Sequence, residues 1–149
     1  NMTHVTPDEY KIISGYRFRI CEAWEASFIC EYEIKFPRYQ FFIIQFWLLH
    51  YSMELCYKAL LLSSGIKPEE THKLAILHTQ LIKVMPDAVE NIEIERINEL
   101  DKFGDIRGGI RYPESFPSEW QHTRSIWEDL EPFKDYALKQ TYKHGSEFN

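Results

Sequence analysis

Apolar residues recur along most of this chain at the three- and four-residue spacing of an amphipathic helix, and no stretch shows the alternation of a strand. Ile13, Tyr16, Ile20, Trp24 and Phe28 keep that spacing behind Thr6-Pro7-Asp8-Glu9. This tetrapeptide reads as a helix start, because Thr6 can cap, Pro7 suits the first helical position and Glu9 completes a capping box. The spacing predicts a first helix reaching the region of Tyr32 to Lys35, weakened slightly by Gly15. Pro37 breaks the chain or opens a second helix, which is predicted to end near Ser63, with Gly65 as a left-handed cap.

The second helix is apolar on most sides. Within "RYQFFIIQFWLLHYSMELCYKALLLSSG", from Arg38 to Gly65, Gln45 and Ser52 share one narrow strip and His50, Glu54 and Lys58 share another. A helix of this kind belongs in the centre of a bundle. It is not expected to cross a membrane, since those polar residues interrupt the run short of the ~20 apolar residues a bilayer demands.

A short third helix follows, with Thr71 as cap, Leu74, Leu77, Leu81 and Val84 as its buried stripe, and Pro86 as its stop. In that reading His72 is the first residue inside the helix, a neutral structural imidazole. From Asp87 onward Val89, Ile92, Ile97, Leu100 and Phe103 continue the pattern, and Glu90, Glu93, Glu95, Glu99 and Asp101 form a solvated acidic face. The segment "GDIRGGIRYPESFP", Gly104 to Pro117, interrupts the periodicity as a connector. Ser115 to Glu119 then opens a last helix carrying Trp120, Ile126 or Trp127, Leu130 and Phe133. Pro132 is expected to kink or divide it, and the terminal "KHGSEFN" to fray. The fold class is thus all-α: an antiparallel up-and-down bundle of about five helices, one domain over residues 1–149.

Composition narrows the function classes. A net charge of −6 argues against indiscriminate nucleic-acid binding, so any such role requires a local basic patch. The three cysteines, Cys21, Cys30 and Cys56, are too few and too widely spaced for a zinc ribbon, and their odd number speaks against a secreted disulfide framework. A reducing cytoplasm fits best. Asn1 ahead of Met2 reads as a cloning remnant, and no signal peptide is expected. Aromatic residues reach 15%, enough to fill a core and leave rings for an interface.

The candidate chemistry concentrates in the connector, whose side chains answer to something other than packing. Arg107, Arg111 and Tyr112 can bind phosphate and base through guanidinium forks and ring stacking, and Gly108 and Gly109 allow close backbone approach to a ligand. Equally, Tyr112 can pack on helix ends while Arg111 pairs with an acid between Glu90 and Asp101. On the second helix Lys58 and His50 can add phosphate-binding charge if their strip borders the connector; otherwise Glu54 and Lys58 form an exposed ion pair worth ~0.2–0.5 kcal/mol. Glu69-x-x-His72 and Glu119-x-x-His122, with Glu22 or Glu54, are the spacings of a di-metal bundle, but Glu69 is expected to lie outside its helix and no metal or other cofactor is expected. No serine or cysteine has the setting of a nucleophile.

His50, Glu54, Lys58, Thr71, His72, Arg111, Tyr112 and Pro113 stand in this order on a five-helix pattern, and the sequence resembles the HEPN domain family. The likeness rests on "SMELCYKALLLSSG", on "THKL" and on "IRYPE". It implies a helical bundle that commonly forms a homodimer, often beside or fused to a nucleotidyltransferase or in a toxin-antitoxin system. Many relatives are metal-independent ribonucleases with an Arg followed, after four to six residues, by a His. Here four residues separate Arg107 from Tyr112, and no histidine stands at that distance from Arg107 or Arg111. The implied function is a nucleotide- or RNA-phosphate-binding module without cleavage. The alternatives are a ribonuclease toxin in which a distant His50 or His72, or a histidine of a partner subunit, replaces the missing one, and a purely structural module serving a nucleotidyltransferase or antitoxin partner.

Overall fold

The computed structural model describes residues 6–32, 38–90, 92–104 and 125–142. Five α-helices stand among them: α1 (Pro7–Tyr32), α2 (Arg38–Ser63), α3 (Leu74–Ile82), α4 (Ile94–Gly104) and α5 (Ser125–Thr141). A short 3-10 turn over Pro86–Ala88 stands where the periodicity suggested the beginning of the fourth helix.

Local chemistry accounts for two helix ends. At the start of α1 the Glu9 amide donates to Thr6 Oγ1 at 3.2 Å, and the Thr6 hydroxyl donates to Glu9 Oε1 at 3.0 Å. The Glu9 carboxylate therefore holds the capping hydroxyl. At the end of α2, Gly65 has φ 76°, its amide reaches the Leu62 carbonyl at 3.0 Å, and the Ile66 amide reaches the Leu61 carbonyl at 2.9 Å. That pair of bonds is a Schellman cap, which satisfies two carbonyls a helix end otherwise leaves open. Because only glycine adopts this conformation without steric cost, Gly65→Ala is expected to lose about 1 kcal/mol and roughly 2–4 °C of melting temperature. A thermal melt within 1 °C of wild type would show that the cap tolerates a side chain.

α1 and α2 are each 26 residues long and pack along one another. They run antiparallel, because five intervening residues cannot make the ~39 Å return that parallel helices of this length require. Ser52 Oγ donates to the Ile20 carbonyl at 3.0 Å, tying the two midpoints together. α2 touches each of the other four helices. Its central position follows from its composition: Phe46, Leu49, Met53, Cys56, Tyr57, Ala59, Leu60 and Leu61 are all fully buried.

The core extends over Ile20 and Trp24 of α1, Leu74, Leu77 and Leu81 of α3, Ile97 and Leu100 of α4, and Trp127, Leu130, Phe133 and Ala137 of α5. Trp127 lies 5.1 Å from the Phe46 ring and donates from Nε1 to Ser27 Oγ at 3.1 Å, while the Ser27 hydroxyl donates to the Trp24 carbonyl at 2.8 Å. Burial departs from the expected stripes at two places. Phe28 is exposed and Ser27 is buried in its stead, since Trp127 fills that face and needs an acceptor. Val84 is exposed because α3 ends at Ile82, and His78 completes the buried stripe instead.

Of the two outcomes expected at Pro132, a kink or a division, the division does not occur. α5 runs undivided through Pro132, held on its inner face by Trp127, Leu130, Phe133 and Ala137. The missing proline amide removes one hydrogen bond, and this packing outweighs the loss. At its far end Arg17 of α1 donates to the Leu138 carbonyl at 3.1 Å, a cation on the negative end of a helix. The predicted start at Ser115 to Glu119, the connector and the terminal tail lie outside the described residues.

Candidate functional site

Polar side chains collect where α2, α4 and the start of α3 meet. Their arrangement begins with the stripe of His50, Glu54 and Lys58, whose spacing of four stacks them along one face of α2. The burial of this stripe corrects the expectation of an exposed pair: side-chain exposure is 4% for His50, 7% for Glu54 and 16% for Lys58. Lys58 Nζ lies 2.8 Å from Glu54 Oε2, and His50 Nε2 lies 3.0 Å from Asp101 Oδ1.

Asp101 is the hub. Besides His50, it takes the Leu74 amide on Oδ1 at 2.7 Å and the Ala75 amide on Oδ2 at 3.0 Å. A residue of α4 thus caps α3, and the expected solvated acidic face lacks its last member. Burial works against the charge on Asp101, but the bonds from His50 and from the Ala75 and Leu74 amides outweigh it and hold the carboxyl below its ordinary pKa of 3.8.

Thr71 does not cap α3. The N-cap is Lys73, which makes no side-chain cap bond, and Thr71 Oγ1 accepts from the Lys73 amide at 3.1 Å in a local turn. His72 therefore precedes the helix. Its Nδ1 lies 3.2 and 3.1 Å from the two oxygens of Glu54, while its side chain is 62% exposed. An exposed imidazole is thereby fixed by a buried carboxylate that a lysine also holds. This contact joins residues 18 apart in sequence, and no local pattern announces it.

Deeper in the bundle a second polar pair joins α2 to α3. Tyr57 Oη and His78 Nδ1 are 2.8 Å apart. Burial raises the Tyr57 pKa well above 10.0 and lowers that of His78 below 6.5, so a neutral phenol meets a neutral ring. The sequence reading missed this pair; the signal for it was a histidine at the fourth position of an apolar stripe.

Arg107, Arg111 and Tyr112, expected to bind the ligand, lie outside the described residues. Of the predicted ligand residues the structure describes His50 and Lys58, and each is bonded to a carboxylate. Among the described residues no group of three or more His, Cys, Asp and Glu is gathered for a metal ion. Glu69 is exposed before α3, as expected, and Glu119 and His122 are outside the described residues.

A model of the HEPN domain matches residues 41–139, well over half of the 149 residues. The chain belongs to the HEPN domain family. The match includes α3, α4 and most of α2 and α5, and hence every residue of the polar cluster around Asp101. Neither the curated proteins nor the solved structures contain a match to it. No described helix of this HEPN domain is long and apolar enough to cross a membrane. Its three cysteines are all free, and burial pushes the Cys56 thiol far up, which leaves it inert.

Proposed function

We propose that this HEPN domain binds a nucleotide or an RNA phosphate through Arg107, Arg111 and Tyr112, without cutting it. The observation that carries the reading is where the polar cluster lies: Asp101, bonded to His50 and to the start of α3, is one helical turn before Gly104, where α4 hands over to the arginine-bearing connector. Arg107 follows three residues later. Within the cluster Glu54 and Asp101 already balance Lys58 and His50. Added positive charge for an anion therefore comes from Arg107 and Arg111, while Lys58 and His50 are held by their own carboxylates. In this reading the domain works in the cytoplasm as a homodimer, beside a nucleotidyltransferase or within a toxin-antitoxin-type pair.

The test measures binding of single-stranded RNA and of ATP by wild type and by the double variant Arg107→Ala, Arg111→Ala. More than tenfold weaker binding with an unchanged melting temperature is expected, because each guanidinium bond to a phosphate contributes ~1.5–3 kcal/mol. A lower melting temperature with no change in binding would make the arginines structural, as in a pure interaction module.

The exposure of His72 favours a second reading, an atypical metal-independent ribonuclease. Of the two histidines considered for that role, His50 is buried and His72 is open to a substrate. RNA cleavage that survives a chelator and is lost in His72→Ala would establish it.

A further inference from the structure

The outer face of α1 has a symmetric order of side chains. Ile12, Gly15, Arg19, Glu22, Ala26 and Ile29 follow one another at alternating spacings of three and four residues, so they form one stripe along the helix. Ile12 is 50% and Ile29 46% exposed; Gly15, Arg19 and Glu22 are exposed as well, and Ala26 is half-buried. From either end the stripe runs apolar, small, charged, and the two central charges are of opposite sign. Among the described residues neither Arg19 nor Glu22 belongs to an ion pair. A Cβ on Gly15 would meet no atom within 4 Å, so packing within the bundle does not call for glycine there, although glycine weakens a helix. The whole stripe precedes residues 41–139, the part of the chain that the HEPN domain model matches.

A second copy of α1, laid antiparallel across a two-fold axis, answers every position of this stripe. With the axis between residues 20 and 21, Ile12 faces Ile29 of the partner subunit, Gly15 faces the partner's Ala26 and Arg19 faces the partner's Glu22. Symmetry makes each of these pairs twice. A parallel arrangement would instead set like charges against each other at both central positions, so charge selects the antiparallel one. Gly15 opposite alanine lets the two helix axes come close. We infer that the chain forms a homodimer through an antiparallel α1–α1 seam, closed at its centre by two Arg19–Glu22 ion pairs and at its ends by Ile12 and Ile29. This gives the homodimer of the reading above its surface and stands apart from the phosphate contacts. From Ile12 to Ile29 the seam is about 26 Å long, one helix against one, so the dimer is expected to dissociate in the micromolar range.

Sedimentation velocity of the full chain, from low to high micromolar concentration, tests this. Wild type is expected to pass from monomer to dimer across the series. Glu22→Arg and Arg19→Glu each set like charges against each other and are expected to weaken association roughly tenfold or more. The double exchange Arg19→Glu, Glu22→Arg restores opposite charges and is expected to restore the dimer. Gly15→Leu, which fills the seam from a position with open space in the monomer, is expected to abolish association without lowering the melting temperature. A monomer at every concentration would overturn the seam and the homodimer together, and leave phosphate binding to its own test. A dimer that none of these variants weakens would put the interface on another face and overturn the seam alone. So would a double exchange that associates no better than the single variants.

Discussion

Asp101→Ala is expected to lower stability by about 2–4 kcal/mol, or roughly 5–12 °C in melting temperature. The substitution removes both capping acceptors from the Leu74 and Ala75 amides and leaves the buried His50 Nε2 without its partner. It also withdraws a negative charge from the N-terminus of α3, where the helix dipole favours one. Asp101→Asn keeps one acceptor oxygen and is expected to lose about half as much. A cycle combining Asp101→Ala with His50→Ala should return a coupling of about 1–2 kcal/mol, because the two side chains are in direct contact. An Asp101→Ala melt within 1 °C of wild type would mean that α3 does not depend on this cap.

The same residue sets an acid limit. Its folded pKa lies below the ordinary 3.8, so the unfolded chain binds more protons in the interval between the two values. The stability that Asp101 contributes is complete above its unfolded pKa and lost as pH falls through the lower folded one. The gap between wild type and Asp101→Asn is therefore expected to stay constant above about pH 5 and to narrow below about pH 4. Chemical denaturation across that range measures it, and a gap that widens on acidification would contradict the assignment.

Trp127→Ala is expected to have the largest effect on the core, about 3–5 kcal/mol. Trp127 is the largest fully buried side chain among the described residues, packs with its ring tilted against Phe46 at 5.1 Å and joins α5 to α1 through Ser27. Its removal opens a cavity between three helices and leaves the Ser27 hydroxyl with one partner fewer. For a domain of this size that is a fifth or more of a typical stability of ~5–15 kcal/mol. Trp127→Phe retains most of the packing and loses the indole N–H, so about 1–2 kcal/mol is expected. Urea denaturation followed by circular dichroism measures both. A loss below 1 kcal/mol for the alanine variant would show that α5 is not anchored through this ring.

Much of the architecture was legible because helices announce themselves locally. Thr6 and Gly65 act on amides and carbonyls within five residues of themselves, so their roles could be read directly from the sequence. The apolar faces of α1 and α2 followed from periodicity, and the strip of His50, Glu54 and Lys58 was identified as one face. What that strip bonds to was not. Thr71 looked like the cap of α3 by every local criterion, yet the acceptor that binds the helix start comes from Asp101, on another helix and 27 residues from Leu74.

The sequence by itself determined that this chain is a helical bundle, where two of its helices are capped and which residues form most of its core. These properties depend on 3.6-residue periodicity and on side chains that bond their own neighbourhood. Only the tertiary structure decided that Asp101 caps α3, that Ser27 and not Phe28 lies under Trp127, that α5 passes through Pro132 undivided, and that Glu54 fixes an exposed His72. In each case the deciding partner belongs to a different element. A hydrogen bond between side chains distant in sequence depends on how two helices are placed against each other, and that placement is set by the packing of the whole core.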